Sequence, residues 1–301
     1  MDAPRFRQLR RDELDTALAW AEAEGWNPGL ADAEAFWAAD PDGFWGMEAG
    51  EELIGTASTV VYTGSRGEKG NLGFVGLFIV RPEWRGRGVG TAFWDFFIAQ
   101  MQERLGGEAG EGGAALDGVF AMQEYYGRSG FRFTHRNLRM EGVGVAVPPD
   151  PALIDAATAV DFEELLAFDR LHFGAERRDF LRRWIHPQGG SALAVRGKGR
   201  GESGEGNLRG YGVIRPCRRG FKIGPLFADD PAVAEALFAG LSSHAAGEPV
   251  FLDVPENHSA ALDLATRHGL RQQFGCARMI SGSFPRLPWE RIYGVTTFEL
   301  G

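Results

Sequence analysis

The run Leu77-Phe78-Ile79-Val80-Arg81-Pro82-Glu83-Trp84-Arg85-Gly86-Arg87-Gly88-Val89-Gly90-Thr91 holds the residues best suited to chemistry in this chain of 301. An apolar strand enters a proline turn, the turn alternates glycine with arginine, and an amphipathic helix follows. Gly86, Gly88 and Gly90 let the backbone come close to a ligand and turn its amides inward. The helix start adds unpaired amides and the positive end of a dipole, and Arg85 and Arg87 add charge-assisted donors. Such a turn is built for a di-anion of the pyrophosphate kind. A Rossmann turn would need glycine at the sixth position counted from Gly86, where Thr91 stands, and would follow the first strand rather than the third. A P-loop would need Lys-Ser or Lys-Thr after its glycine, and the run has neither.

Further along stands Tyr125-Tyr126-Gly127-Arg128-Ser129-Gly130-Phe131. Arg85-x-x-Gly88-x-Gly90 after Val80-x-Pro82, followed by this second run, resembles the paired signatures of the GNAT N-acetyltransferases over roughly residues 5 to 141. The resemblance implies acetyl-CoA as co-substrate, with its pyrophosphate held by Arg85, Gly86, Arg87, Gly88, Val89, Gly90 and Thr91. It also implies a strand edge at Ile79 and Val80 that pairs with the pantetheine amides, and a backbone amide at Phe78 or Ile79 that polarises the thioester carbonyl. Tyr126, four residues before Gly130, becomes the counterpart of the family's general acid; a phenol of ordinary pKa near 10 stays protonated and can donate. Val119 stands where the family often has asparagine, seven residues before that tyrosine.

A narrower resemblance rests on Glu24-Gly25-Trp26-Asn27-Pro28-Gly29, Leu116-Asp117-Gly118-Val119, Ile223-Gly224-Pro225-Leu226-Phe227-Ala228-Asp229 and Gly294-Val295-Thr296-Thr297-Phe298-Glu299-Leu300-Gly301. These are similar to tandem bacterial acetyltransferases whose second half is of the YitH and holothin acyltransferase type. The resemblance sets Glu24 where the first helices border the acceptor, with Trp26, Asn27 and Asp117 as acceptor-binding residues. Trp26 could stack on a cationic or aromatic group, or cap the helix end as core. The base stays open among Glu24, Asp117 and Glu124, and Asp117, beside a glycine at a strand end, also reads as a turn carboxylate.

These residues need elements to hold them. Leu14, Ala17, Leu18 and Ala21 give the i, i+3, i+4, i+7 face of a first helix, and Phe36 and Trp37 sit in a short second one. Strand signals at Phe44–Ala49, Glu52–Tyr62 and Asn71–Val80 precede a helix from Gly88, a strand at Leu116–Phe120, a short helix at Tyr126 and a strand at Phe131–Met140. The same order recurs: helices at Phe162–Phe173 and Arg177–Ile185, strands at Ala192–Arg196, Gly210–Arg215 and Phe221–Phe227, then a helix, a strand, a helix and strands at Gln272–Met279 and Ile292–Leu300. The expected fold is α/β with a mixed sheet, built as two tandem units: residues 1–142, a linker over 143–155 marked by Pro148, Pro149 and Pro151, and residues 156–301. The run from Gly197 to Asn207 reads as a hairpin loop. In the second unit Asp229 and Asp230 stand where a pyrophosphate would sit, and Ala265 replaces the acid, so that unit is expected to be degenerate.

Composition narrows the rest. Hydrophobic residues make up 44% and charged ones 24%, a balance that excludes a mainly disordered chain. The net charge of −9 disfavours a nucleic-acid partner. No run reaches the roughly 18 apolar residues of a membrane span, and Met1 to Arg11 lacks the apolar core of a signal peptide. Cys217 and Cys276 cannot frame disulfides, and the six histidines lack ligand spacing, so neither a membrane nor a metal is expected and a reducing cytoplasm suits the chain. The leading expectation is acetyl transfer to a primary amine of a small molecule, with a homodimer compatible with it. The alternatives are an acyl-CoA sensor without turnover and an acetyltransferase for a protein lysine or N-terminus.

Overall fold

The computed structural model describes residues 3–62, 71–106, 112–148, 154–198 and 205–301. In the first half β1 (Arg5–Gln8) leads to α1 (Arg11–Ala23), α2 (Asp32–Ala39), β2 (Phe44–Ala49), β3 (Glu52–Tyr62), β4 (Leu72–Val80), α3 (Val89–Arg104), β5 (Gly113–Val119), α4 (Gln123–Arg128) and β6 (Arg132–Val143). The second half runs β7 (Ile154–Ala156), α5 (Phe162–Phe173), α6 (Arg178–Trp184), β8 (Ser191–Lys198), β9 (Glu205–Pro216), β10 (Phe221–Ala228), α7 (Pro231–His244), β11 (Pro249–Pro255), α8 (Ser259–Arg267) and β12 (Arg271–Gly282), with a short β13 (Ile292–Gly294). Leu14, Ala17, Leu18 and Ala21 are all buried, so α1 lies on the sheet by the face its spacing marks. β4 is buried on both faces from Leu72 to Val75 and alternates between buried and half-buried residues from Gly76 on.

The strands among the described residues join one 13-stranded sheet in the order β1-β2-β3-β4-β5-β12-β6-β11-β10-β9-β8-β7, with β13 beside β10. The two halves therefore exchange their sixth strands. β12 lies between β5 and β6, from Cys276 opposite Val119 to Gly282 opposite Gly113. β6 in turn pairs with β11, from Pro255 opposite Asn137 to Pro249 opposite Val143. The central β6–β12 pair is symmetric about its middle, with Arg271 opposite Glu141 at one end and Ile280 opposite Arg132 at the other. One core spans both halves beneath α2 and α6, where Phe36 stacks on Trp184 with ring centroids 6.2 Å apart. No helix among the described residues is long and apolar enough to cross a membrane.

Several local expectations change. β1 and β7 are edge strands of four and three residues, too short for an apolar run to announce them. The strand expected over Ile292–Leu300 stops at Gly294, because Thr297 closes a turn: its Oγ1 accepts from the Leu300 amide at 2.9 Å. β6 continues to Val143, and most of the proline run, Pro149 and Pro151 included, lies outside the described residues. The centre of the expected Gly197–Asn207 loop also lies outside them, while its flanks belong to β8 and β9. Asp117 sits inside β5 rather than in a turn.

Candidate active site

β4 and β5 run parallel and in register from Leu72 opposite Gly113 to Val75 opposite Leu116, and then part. Leu77 marks the divergence with a left-handed backbone, φ +48°, which a leucine adopts only where its surroundings impose it. The ladder to β3 shifts register there, and Thr56 Oγ1 donates to the Leu77 carbonyl at 3.1 Å. A cavity of about 610 Å³ fills the opening. Val75 to Val80 wall one side and Leu116 to Val119 the other, with Arg85, Gly86, Gly88, Gly90 and Thr91 at one end.

Gly86 and Gly88 adopt φ of +71° and +80°, with no neighbour crowding the place of a Cβ, so the turn needs glycine for its backbone shape alone. Gly88 caps α3 with no side-chain hydrogen bond, and while the Thr91 amide turns back to the Gly88 carbonyl at 3.2 Å, those of Val89 and Gly90 are left open to an anion. Arg85 Nε donates to the Val80 carbonyl at 2.7 Å, and its guanidinium pairs with Glu24 on the cavity wall. Arg87 lies over the Trp84 ring at 5.3 Å; neither it nor Val89 lines the cavity.

Tyr126 is 8% exposed and packs on Trp94 at 5.0 Å between centroids, with its ring so close to Gly118 that any side chain there would strike it. Burial pushes its hydroxyl well above the ordinary phenol range, aided by Cys276 and Tyr125, so it stays protonated at every physiological pH. Tyr125 also lines the cavity; burial raises its hydroxyl despite a hydrogen bond with Thr91. The Cys276 thiol, likewise on the wall, is held protonated by burial first and by Asp117 second, which makes it a poor nucleophile.

Trp26 lines the cavity, whereas Asn27 does not. Asn27 Nδ2 donates to the Arg219 carbonyl at 3.0 Å, its Oδ1 accepts from the Arg219 amide at 2.8 Å, and its own carbonyl accepts from Lys222 Nζ at 2.9 Å. It is a contact between the halves. Asp117 reaches the cavity wall, but its carboxylate is committed to Arg278 of β12, at 2.9 and 2.7 Å, and to Asn137 Nδ2 at 2.8 Å. Glu124 pairs with Arg128 and is exposed.

Four wall residues come from the second half: Phe274, Cys276, Phe298 and Glu299. The strand exchange brings the first two, and the segment after β13 brings the others. This segment visits both halves. β10 and β11 pair from Phe221 opposite Val250 to Ile223 opposite Leu252, and where they part β13 occupies the opening, Gly294 facing Leu226. The chain then crosses Gly224 and, further on, Gly76 of β4; a Cβ at either glycine would collide with a carbonyl oxygen, of Thr296 and of Glu299 respectively. In the second half only residues 229–230 separate strand from helix, against 81–88 in the first. The Asp230 carboxylate accepts the Ala232 and Val233 amides at 2.9 and 3.0 Å, so the helix start that could hold an anion already has one.

The first half has a strand pair opening onto a glycine-fronted helix, and family comparisons match both halves. Residues 6–131 match the Acetyltransferase (GNAT) family, and residues 165–294 match an Acetyltransferase (GNAT) domain. The chain belongs to the GNAT family. It is a tandem GNAT acyltransferase, 28% identical over 292 residues to the holothin acyltransferase of Pseudoalteromonas sp., covering 96% of this chain and 92% of that protein. It is 26% identical to the uncharacterized N-acetyltransferase YitH of Bacillus subtilis, over 67% of each. Among solved structures, a putative acetyltransferase from Pyrococcus horikoshii superposes with a TM-score of 0.80 at 20% identity, over 100% of this chain and 97% of that one. A tandem GNAT protein from the clavulanic acid biosynthesis pathway shares the fold at a TM-score of 0.60 and 13% identity, over 94% and 99%. Among the described residues no group of three or more His, Cys, Asp or Glu is disposed to hold a metal.

Proposed function

We propose that this GNAT protein transfers an acetyl group from acetyl-CoA to a primary amine of a small molecule, at one site in its first half. The observation that carries the reading is the β4–β5 opening with free helix amides at one end and a buried, protonated tyrosine on its wall. The matching opening of the second half is filled by β13, and its helix amides are capped by Asp230.

Acetyl-CoA supplies the acyl group activated as a thioester. The amides from Gly86 to Gly90 would take its pyrophosphate beside the Thr91 side chain, with Arg85 set at the rim by Glu24 and the Val80 carbonyl. The freed edge of β4 at Ile79 and Val80 would pair with the pantetheine amides, and the amide at Phe78 or Ile79 would donate to the carbonyl oxygen as negative charge grows on it. Tyr126 would donate a proton to the departing sulfur. Trp26 of the first half and Phe274 and Phe298 of the second wall the cavity, which favours a small acceptor over a protein chain. The name of the Pseudoalteromonas relative, an acyltransferase, supports acyl transfer.

Calorimetric titration with acetyl-CoA should give one site per chain, lost in Gly88→Asp, which would set a carboxylate at the anion site. Free-thiol release across a panel of amines should then fall about 10²- to 10³-fold in Tyr126→Phe with the coenzyme dissociation constant unchanged. Two sites would overturn the assignment of a single centre. Binding without turnover by any amine would leave the sensor reading in its place.

A further inference from the structure

Glu299 is 3% exposed, lines the cavity, and its Oε2 is buried with no hydrogen-bond partner. Removing a carboxylate from water without a donor or counter-charge is costly, so such a group persists where something else satisfies it. None of the cations within electrostatic range donates to this oxygen. Arg139 holds Asp253 by two bonds of 2.8 and 2.7 Å, Arg215 holds Asp32 at 2.7 Å, and Lys222 donates to the Asn27 carbonyl. Glu24 is tied to Arg85 and Asp117 to Arg278, so neither offers a free oxygen pair to a second cation. Aromatic rings of Trp26, Phe274 and Phe298 share the wall with Glu299, a lining suited to an organic cation.

We infer that Glu299 receives the ammonium group of the acceptor and takes a proton from it, so that the second half supplies the base for the site in the first. This rests on the acetyl-transfer reading above. The acceptor enters as R–NH3+, and the Glu299 carboxylate takes one proton to leave R–NH2. The nitrogen lone pair attacks the thioester carbonyl carbon; the C–N bond forms and the C–S bond breaks, its electron pair leaving with sulfur. Tyr126 protonates the sulfur and recovers the second nitrogen proton, and Glu299 releases its own to solvent. The sum is one amide, one thiol and one proton.

The test compares acceptors that need this service with acceptors that do not. Primary alkylamines are cationic near neutral pH and arylamines are neutral, so a panel of both is assayed by free-thiol release from acetyl-CoA with the full chain. In Glu299→Gln, kcat/KM for alkylamines should fall about 100-fold, and for arylamines by no more than a few-fold. Glu299→Asp should recover part of the loss, and the acetyl-CoA dissociation constant should stay within two-fold in both variants. Equal losses for both amine classes, or none, would overturn the role of Glu299 while leaving acetyl transfer intact. If Glu299→Gln no longer binds acetyl-CoA, a structural role is shown and the inference fails. Absence of turnover by the unsubstituted chain with every amine would instead sink the transfer reading itself, and the role of Glu299 with it.

Discussion

Arg139–Asp253 and Arg278–Asp117 occupy equivalent places in the two halves, each arginine on an exchanged strand and each aspartate on the strand it joins. Asp117 read from its neighbours looks like a turn residue because its partner lies 161 positions away, beyond the reach of any local pattern. His135, on β6 beside this pair, shows what burial at this seam does to a titratable group. It packs on Trp289 at 4.3 Å between centroids, its Nε2 lacks a partner, and desolvation, with Arg278 adding repulsion, lowers its pKa to about 3. The folded state therefore resists a proton that the unfolded chain accepts near pH 6.5, so ν is larger in the unfolded state and stability falls as pH drops from there toward 3. The slope has a ceiling of about 1.4 kcal/mol per pH unit. Urea unfolding at pH 7 and pH 5 should show a smaller acid loss in His135→Gln than in the unsubstituted chain; equal losses would assign the effect elsewhere.

At the scale of elements, glycines decide where backbone may cross backbone. Gly76 lets the segment after β13 lie against β4, and nothing but hydrogen fits between them. Gly76→Ala should lower stability by about 1–3 kcal/mol through overpacking, and should weaken turnover more than coenzyme binding because it shifts the Phe298–Glu299 wall. Denaturant titration and acetyl-CoA calorimetry on the same variant would check both. The glycine loop, the strand before it and the helix after it were legible in sequence, because their roles follow from local backbone freedom and one apolar run. So was the absence of an equivalent loop in the second half, from Asp229 and Asp230. The part of the cavity wall formed by Phe274, Cys276, Phe298 and Glu299 was not, since periodicity names a strand without naming its neighbours. Asn27, drawn toward the acceptor by its run of neighbours, in fact joins the halves through Arg219 and Lys222.

For the whole molecule, exchange of β6 and β12 makes each half the completion of the other's sheet. Expressed alone, residues 1–146 would expose the edges of β5 and β6 and leave apolar surface of the shared core bare. Neither that piece nor 154–301 should unfold cooperatively by itself, while mixing the two should restore a single acetyl-CoA site. A cooperative transition from the first piece alone would show that the exchange is dispensable. The exchange also sets a timetable. A ribosome makes β5 well before it makes β12, and Phe298 and Glu299 come later still. On the nascent chain the glycine loop and Tyr126 emerge early, yet their cavity lacks a wall until some 170 further residues have been added, from Tyr126 to Phe298. The cavity is thus closed only once Phe298 has been made, and a chain released before that point lacks the wall by its topology rather than by the action of a protease or chaperone.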